Sequence, residues 1–203
     1  MRLFDGGRAP NPRRVRIFLA EKGIDVPLEP VDMGALGHRA PELVARNPLA
    51  RLPVLELDDG TIITETVAIC RYFERSHPEP ALMGQGAVGE AQVEMWQRRM
   101  EFHLLLLIAN VFRHSHPAMA EWEVPQLPEF AEANRPKVEA SLRWLERELA
   151  HRRFIAGDSF TIADITALVA LDFMKPARLA IPDDCPQVAD YHTRLRERPA
   201  ALA

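Results

Sequence analysis

The apolar positions of the chain change period part-way along it. In the first seventy-odd residues, short β-type runs alternate with short helical stripes; beyond that, every apolar pattern is helical. Met1 to Phe4 has the character of a strand, and Gly6-Gly7-Arg8-Ala9-Pro10 is a loop by composition. Asn11-Pro12 signals a helix start, with Asn as N-cap and Pro at the first helical position. That helix presents Val15, Phe18 and Leu19 on one face and stops at Lys22-Gly23, a cation followed by a C-cap glycine. Asp25 to Met33 reads as a strand, confined to a sheet edge because Pro27 and Pro30 cannot donate to a ladder. His38 to Asn47 reads as a short helix. Val54 to Leu57 and Thr61 to Ile63 form a hairpin around the turn Asp58-Asp59-Gly60. Thr64 is the expected N-cap of a further helix, with Glu65 and Thr66 in its first turn and Ala68, Ile69, Tyr72 and Phe73 as its apolar stripe.

The resulting order is β-α-β-α-β-β-α. The first two strands need a right-handed crossover and so run parallel, while the last two are antiparallel, which is a thioredoxin-like α/β sheet. The expected organisation is a domain over residues 1–77, a Pro- and Gly-rich linker over 78–89 and an all-α domain over 90–203. In the latter, a long helix from Glu90 to about Arg113 carries Trp96, Met100, His103, Leu104, Leu107 and Val111. The apolar run Leu104 to Ile108 predicts burial on several sides. Pro128 to about His151 carries Val138, Leu142, Leu145 and Leu149, with Pro136 as a kink or late start. Thr161 and Asp164 have capping-box spacing, with Phe160 and Ile165 as the staple, and a last helix spans Pro186 to Arg196. Asp164 reads as a cap rather than a catalytic acid.

A net charge of −4 argues against nonspecific nucleic-acid binding. No apolar run is long enough to span a bilayer, and the N-terminal residues lack a secretory pattern, so the expected location is the cytoplasm. Cys70 and Cys185 make neither a disulfide framework nor a metal set, and Cys70 reads as a packing residue. His114-Ser115-His116 lacks companions at metal-ligand spacing.

The chemistry concentrates between Asn47 and Tyr72. Here a Leu52 peptide group is set to pair with an extended ligand, a helix start to hold a carboxylate, and Glu65 to hold an ammonium. The plain alternative is a structural hairpin with an ordinary capped helix. Arg51-Leu52-Pro53, the hairpin and Glu65-Thr66, in this order and spacing, resemble the glutathione site of the glutathione S-transferase family, and the resemblance spans essentially the full chain. It implies a cis Pro53, a γ-glutamyl group on Glu65 and Thr66, and the glycine carboxylate on Arg51 or His38. It also implies glutathione as co-substrate with no cofactor, a homodimer, and a second substrate between the domains near Phe112 and Arg113.

Glutathione chemistry needs the thiolate. Lowering a thiol from about 8.5 by about two units requires roughly 2.7 kcal/mol. Family members use Tyr, Ser or Cys near the first strand–helix junction, and this sequence has none of them there; Ala9 stands at the usual serine position. Asn11, in Ala9-Pro10-Asn11-Pro12, resembles the asparagine of the Nu-type bacterial transferases, which implies a contact to sulfur; the other reading is an N-cap only. A helix start supplies about 0.3–1 kcal/mol, up to ~2 when partly buried. A hydrogen bond to a charged acceptor adds about 1.5–3. The expected function is thiolate attack on a hydrophobic electrophile. The alternatives are reduction of glutathione-linked disulfides at the same site, and a noncatalytic binding or regulatory protein of this fold.

Overall fold

The computed structural model describes residues 1–203. They divide into two compact units, Met1–Leu82 with Leu202–Ala203, and Met83–Ala201.

In the first unit, β1 (Arg2–Asp5) leads into α1 (Pro10–Lys22), then β2 (Leu28–Pro30), a 3-10 turn at Gly37–Arg39, α2 (Pro41–Arg46), β3 (Val54–Glu56), β4 (Ile62–Thr64) and α3 (Thr66–Ser76). The sheet order is β2-β1-β3-β4, with β1 and β2 parallel and the other pairs antiparallel. The proline-bearing strand is at the edge, as its missing donors require. Gly23 ends α1 in the left-handed region, at φ 65°, and its N–H reaches the Ala20 carbonyl. Leu3, Val15, Phe18, Leu55, Ile69 and Phe73 make the core where α1 and α3 pack together against the sheet.

In the second unit, α4 (Gly86–Met100) passes through a π-turn at Glu101–Leu105 into α5 (Leu106–Ser115). It is followed by α6 (Pro128–Leu149), α7 (Ile162–Phe173) and α8 (Pro186–Arg196). Helix α7 is apolar around its circumference and buried from Ile162 to Leu171. Its capping box forms: Thr161 Oγ1 accepts from Ala163 N–H, and Asp164 Oδ2 accepts from Thr161 N–H at 2.8 Å. Asp164 Oδ1 also accepts from Ile155 N–H and the Tyr191 hydroxyl, so this buried carboxylate joins three segments rather than doing chemistry.

The long helix departs from expectation in two ways. It begins four residues early, at Gly86, and it is not uniform, because the π-turn rotates α5 out of phase with α4. His103 and Leu106 are therefore exposed, beside an exposed Phe102, while Leu104, Leu105 and Ile108 are buried.

Candidate functional site

The register of the sheet assembles the site. Val54 pairs with Phe4 on one side and Thr64 on the other. One residue beyond these partners stand Pro53, Asp5 and Glu65. The end of β1, the start of β3 and the end of β4 therefore open at the same end of the sheet.

Asp5 shapes the loop leaving β1. Its carboxylate accepts from Gly7 N–H at 2.8 Å and pairs with Arg16 of α1, drawing the loop against the helix. Gly6 is buried beside Leu52: a Cβ there would stand 3.3 Å from Leu52 Cδ1 and 3.3 Å from Met33 Cγ. The loop bearing Ala9 thus adjoins the segment bearing Leu52 and Pro53.

Asn11 is not the N-cap. Helix α1 begins at Pro10, whose ring presets a helical φ, and Ala9 caps it with extended backbone (φ −63°, ψ 139°) and no side-chain bond. Asn11 is the second helical residue and is exposed. Its side-chain Oδ1 accepts from Arg14 Nη1 at 3.2 Å. Asn11 is thereby released from capping, and its amide nitrogen is not used by the helix.

The Arg51–Pro53 segment is held by Asn47. The buried Asn47 donates through Nδ2 to the Arg51 carbonyl at 2.8 Å, and its Oδ1 accepts from Leu49 N–H at 3.2 Å. Leu52 buries its side chain with Phe4, Leu43 and Val54, while β3 begins at Val54, leaving the Leu52 backbone outside both ladders. The Leu52–Pro53 peptide is cis.

Glu65, rather than Thr64, is the N-cap of α3, and Thr66 is its first residue, buried. Glu65 is exposed at φ 68° and ψ 125°, a region an L-residue occupies at a cost of about 1–3 kcal/mol. Thr64 is spent on pairing with Val54, so the turn into the helix falls on the next residue. His38 is buried, and burial, followed by the positive fields of Arg39 and Arg51, holds its pKa below the ordinary imidazole value. His38 is thus a neutral imidazole near a cationic Arg51. Cys70, on α3, is fully buried, and burial pushes its thiol up to about 12, which leaves it inert.

In the second unit, the Phe112 ring lies tilted against His116 and Phe173, with centroids 4.7 Å and 4.9 Å away, while the Arg113 carbonyl accepts from Gln126 Nε2. His114 and His116 each accept a backbone N–H through Nδ1, from Leu127 and Ala118.

Sequence reasoning overlooked Asp5, Arg14 and Asn47. Arg14 carried a signal: helical spacing aligns it with the apolar Ile17 and Phe18, and it is buried with them. Asn47 before Pro48 also fits the side-chain-bonded turn that asparagine favours. Asp5 before Gly6-Gly7 fits the same kind of turn, whereas its pairing with Arg16 lies beyond the loop and carried no local signal.

Comparison with known proteins agrees along the chain. The family model for the glutathione S-transferase N-terminal domain matches residues 9–76, and that for the C-terminal domain matches residues 128–194. Glutathione S-transferase 2 of Saccharomyces cerevisiae is 34% identical, covering 98% of this chain and 87% of the relative. A glutathione S-transferase domain-containing protein of Marinobacter aquaeolei superposes with a TM-score of 0.94 at 35% identity, covering 98% of this chain and 99% of that one. The Gtt2 structure from S. cerevisiae also superposes at 0.94, with 33% identity, covering 100% and 99%.

Proposed function

The chain belongs to the glutathione S-transferase family and is a glutathione transferase, and from that premise we propose how its residues divide the work. Glutathione lies along the end of the sheet where Asp5, Pro53 and Glu65 converge. Glu65 takes the γ-glutamyl ammonium. Thr66 and the free N–H groups at the start of α3 take the adjoining carboxylate. The Leu52 backbone pairs with the cysteinyl backbone in strand fashion. Arg51 holds the glycine carboxylate with its planar fork, and neutral His38 donates beside it. Ala9 adds no side-chain group, so its part is confined to the backbone of the loop.

The sulfur falls to Asn11. Its N–H2 donates to the thiolate, and the N-terminus of α1 adds its partial positive charge. A charge-assisted bond of about 1.5–3 kcal/mol with a helix-end term of about 0.3–1 reaches the roughly 2.7 needed for two pKa units. The thiolate attacks an electrophilic carbon, forms the C–S bond and expels the leaving group with its electron pair. Phe112, flanked by His116 and Phe173, offers an aromatic surface for an apolar electrophile, and Arg113 a nearby cation for a leaving anion or nitro group. The exposed Met95, Phe102 and Leu106 are the surface proposed to pair two copies as a homodimer.

The observation that supports this assignment best is the backbone strain at Glu65, retained at the residue placed to meet the ammonium. Turnover of glutathione with an activated chloronitrobenzene tests it. Wild type forms the thioether and releases chloride; Glu65→Ala and Asn11→Ala each lose most of that rate. Full turnover in both variants would overturn the assignment.

A further inference from the structure

We propose that Arg14 is a positioning residue that sets the Asn11 amide with its oxygen inward and its N–H2 toward the glutathione sulfur. The proposal rests on the reading of Asn11 as the sulfur donor.

Arg14 is only 1% exposed, although it lies one turn from the start of an otherwise amphipathic helix. Its Nη1 donates to Asn11 Oδ1 at 3.2 Å, three residues back along α1. A guanidinium has donors and no acceptor. Only the amide oxygen can therefore face it; a flipped amide would set its own N–H2 against a buried cation. The pairing selects one of two orientations that are nearly equal in shape but opposite in effect. With nitrogen outward, the amide donates to a thiolate. With oxygen outward, it repels one and raises the thiol pKa.

The exposed Asn11 has no other side-chain hydrogen bond to enforce this choice. Ala9, as the cap, provides no competing hydroxyl. The charge-assisted bond also polarises the amide and strengthens its N–H2 as a donor. Arginine suits the task better than lysine because its planar fork holds a fixed donor geometry toward Asn11. A hydroxyl donor turns freely about its C–O bond, whereas an amide donor needs a second residue to decide which end faces outward.

The test is a double-mutant cycle read by the ultraviolet thiolate absorbance of bound glutathione against pH. The proteins are wild type, Asn11→Ala, Arg14→Met and the double variant, with thermal melts and glutathione affinity measured alongside. The expected result is a raised bound-thiol pKa in Arg14→Met and in Asn11→Ala, with the double variant titrating like Asn11→Ala alone. An Arg14→Met shift of equal size with and without Asn11 would overturn the proposal, since Arg14 would then act on sulfur by its own charge. An unmoved titration in Asn11→Ala would instead overturn the reading of Asn11 as donor, a distinct outcome visible without any change at Arg14. If Arg14→Met does not fold, Arg14→Gln takes its place, because its amide offers an acceptor as well as donors and so admits either orientation of Asn11. The same coupling to Asn11 is expected there, and its absence counts against the proposal.

Discussion

Asn47 and Arg51 are joined by a 2.8 Å hydrogen bond from the Asn47 side chain to the Arg51 carbonyl, four residues on. That bond, with the one from Leu49 N–H to Asn47 Oδ1, shapes the turn that presents Arg51 and Leu52. Asn47→Asp keeps the acceptor and loses the donor. It is expected to cost about 1–3 kcal/mol of stability, because a buried carbonyl is left facing a carboxylate. It should also weaken glutathione binding through the displaced Arg51. Chemical denaturation and calorimetry check both; unchanged affinity would detach Asn47 from the site.

At Glu65, stability and binding should move in opposite directions. Glu65→Gly removes the cost of holding an L-residue at φ 68°, raising stability by about 1 kcal/mol or more. It also removes the proposed partner of the ammonium, which is expected to lower glutathione affinity by about 2–4 kcal/mol. Glu65→Gln lowers affinity in the same direction but keeps the backbone cost. Melting temperatures paired with titration calorimetry separate the two effects, and a glycine variant less stable than wild type would contradict the strain.

The pH dependence of stability carries the signature of His38. Its pKa in the folded protein is lowered from 6.5 by burial first, then by Arg39 and Arg51. Above about 6.5 the group is neutral both folded and unfolded. As pH falls below that value, the unfolded chain takes the proton first, so stability is progressively lost until the folded pKa is passed. His38→Gln should flatten this decline and leave stability above pH 7 comparatively little changed. Denaturation midpoints across this range read it directly, and an identical slope in both proteins would exclude His38 as the cause.

Lys22 anchors the chain where it leaves α3. Its side chain is fully buried, with Nζ 2.7 Å from Glu74, from the His77 carbonyl and from the Pro80 carbonyl. Lys22→Met keeps the aliphatic stem and removes the charge from beside a carboxylate. Breaking a buried pair in this way costs about 3–5 kcal/mol. Equilibrium unfolding measures it, and a loss below 1 kcal/mol would show that the ammonium does not hold this segment.

What the amino-acid sequence determined by itself was whatever depends on neighbours a few residues apart. The hairpin around Asp58-Asp59-Gly60, the glycine stop of α1, the Thr161–Asp164 capping box and the start of α8 at Pro186 all arise from contacts within one turn of chain. The resemblance to the family was legible for the same reason, since Arg51 to Thr66 is a contiguous hairpin and helix start. What only the tertiary structure decided involves the rest of the chain. Asn11 and Pro12 read locally as a cap and first residue, but the fold starts the helix at Pro10 and turns Asn11 toward a buried Arg14. Thr64 reads locally as a cap, but pairing with Val54 claims it for the sheet and moves the strained turn to Glu65. The π-turn at Glu101–Leu105 has no local breaker to announce it, and it determines which residues of an unbroken apolar run are buried. In each case two local choices were close in energy, and packing against residues distant in sequence selected between them.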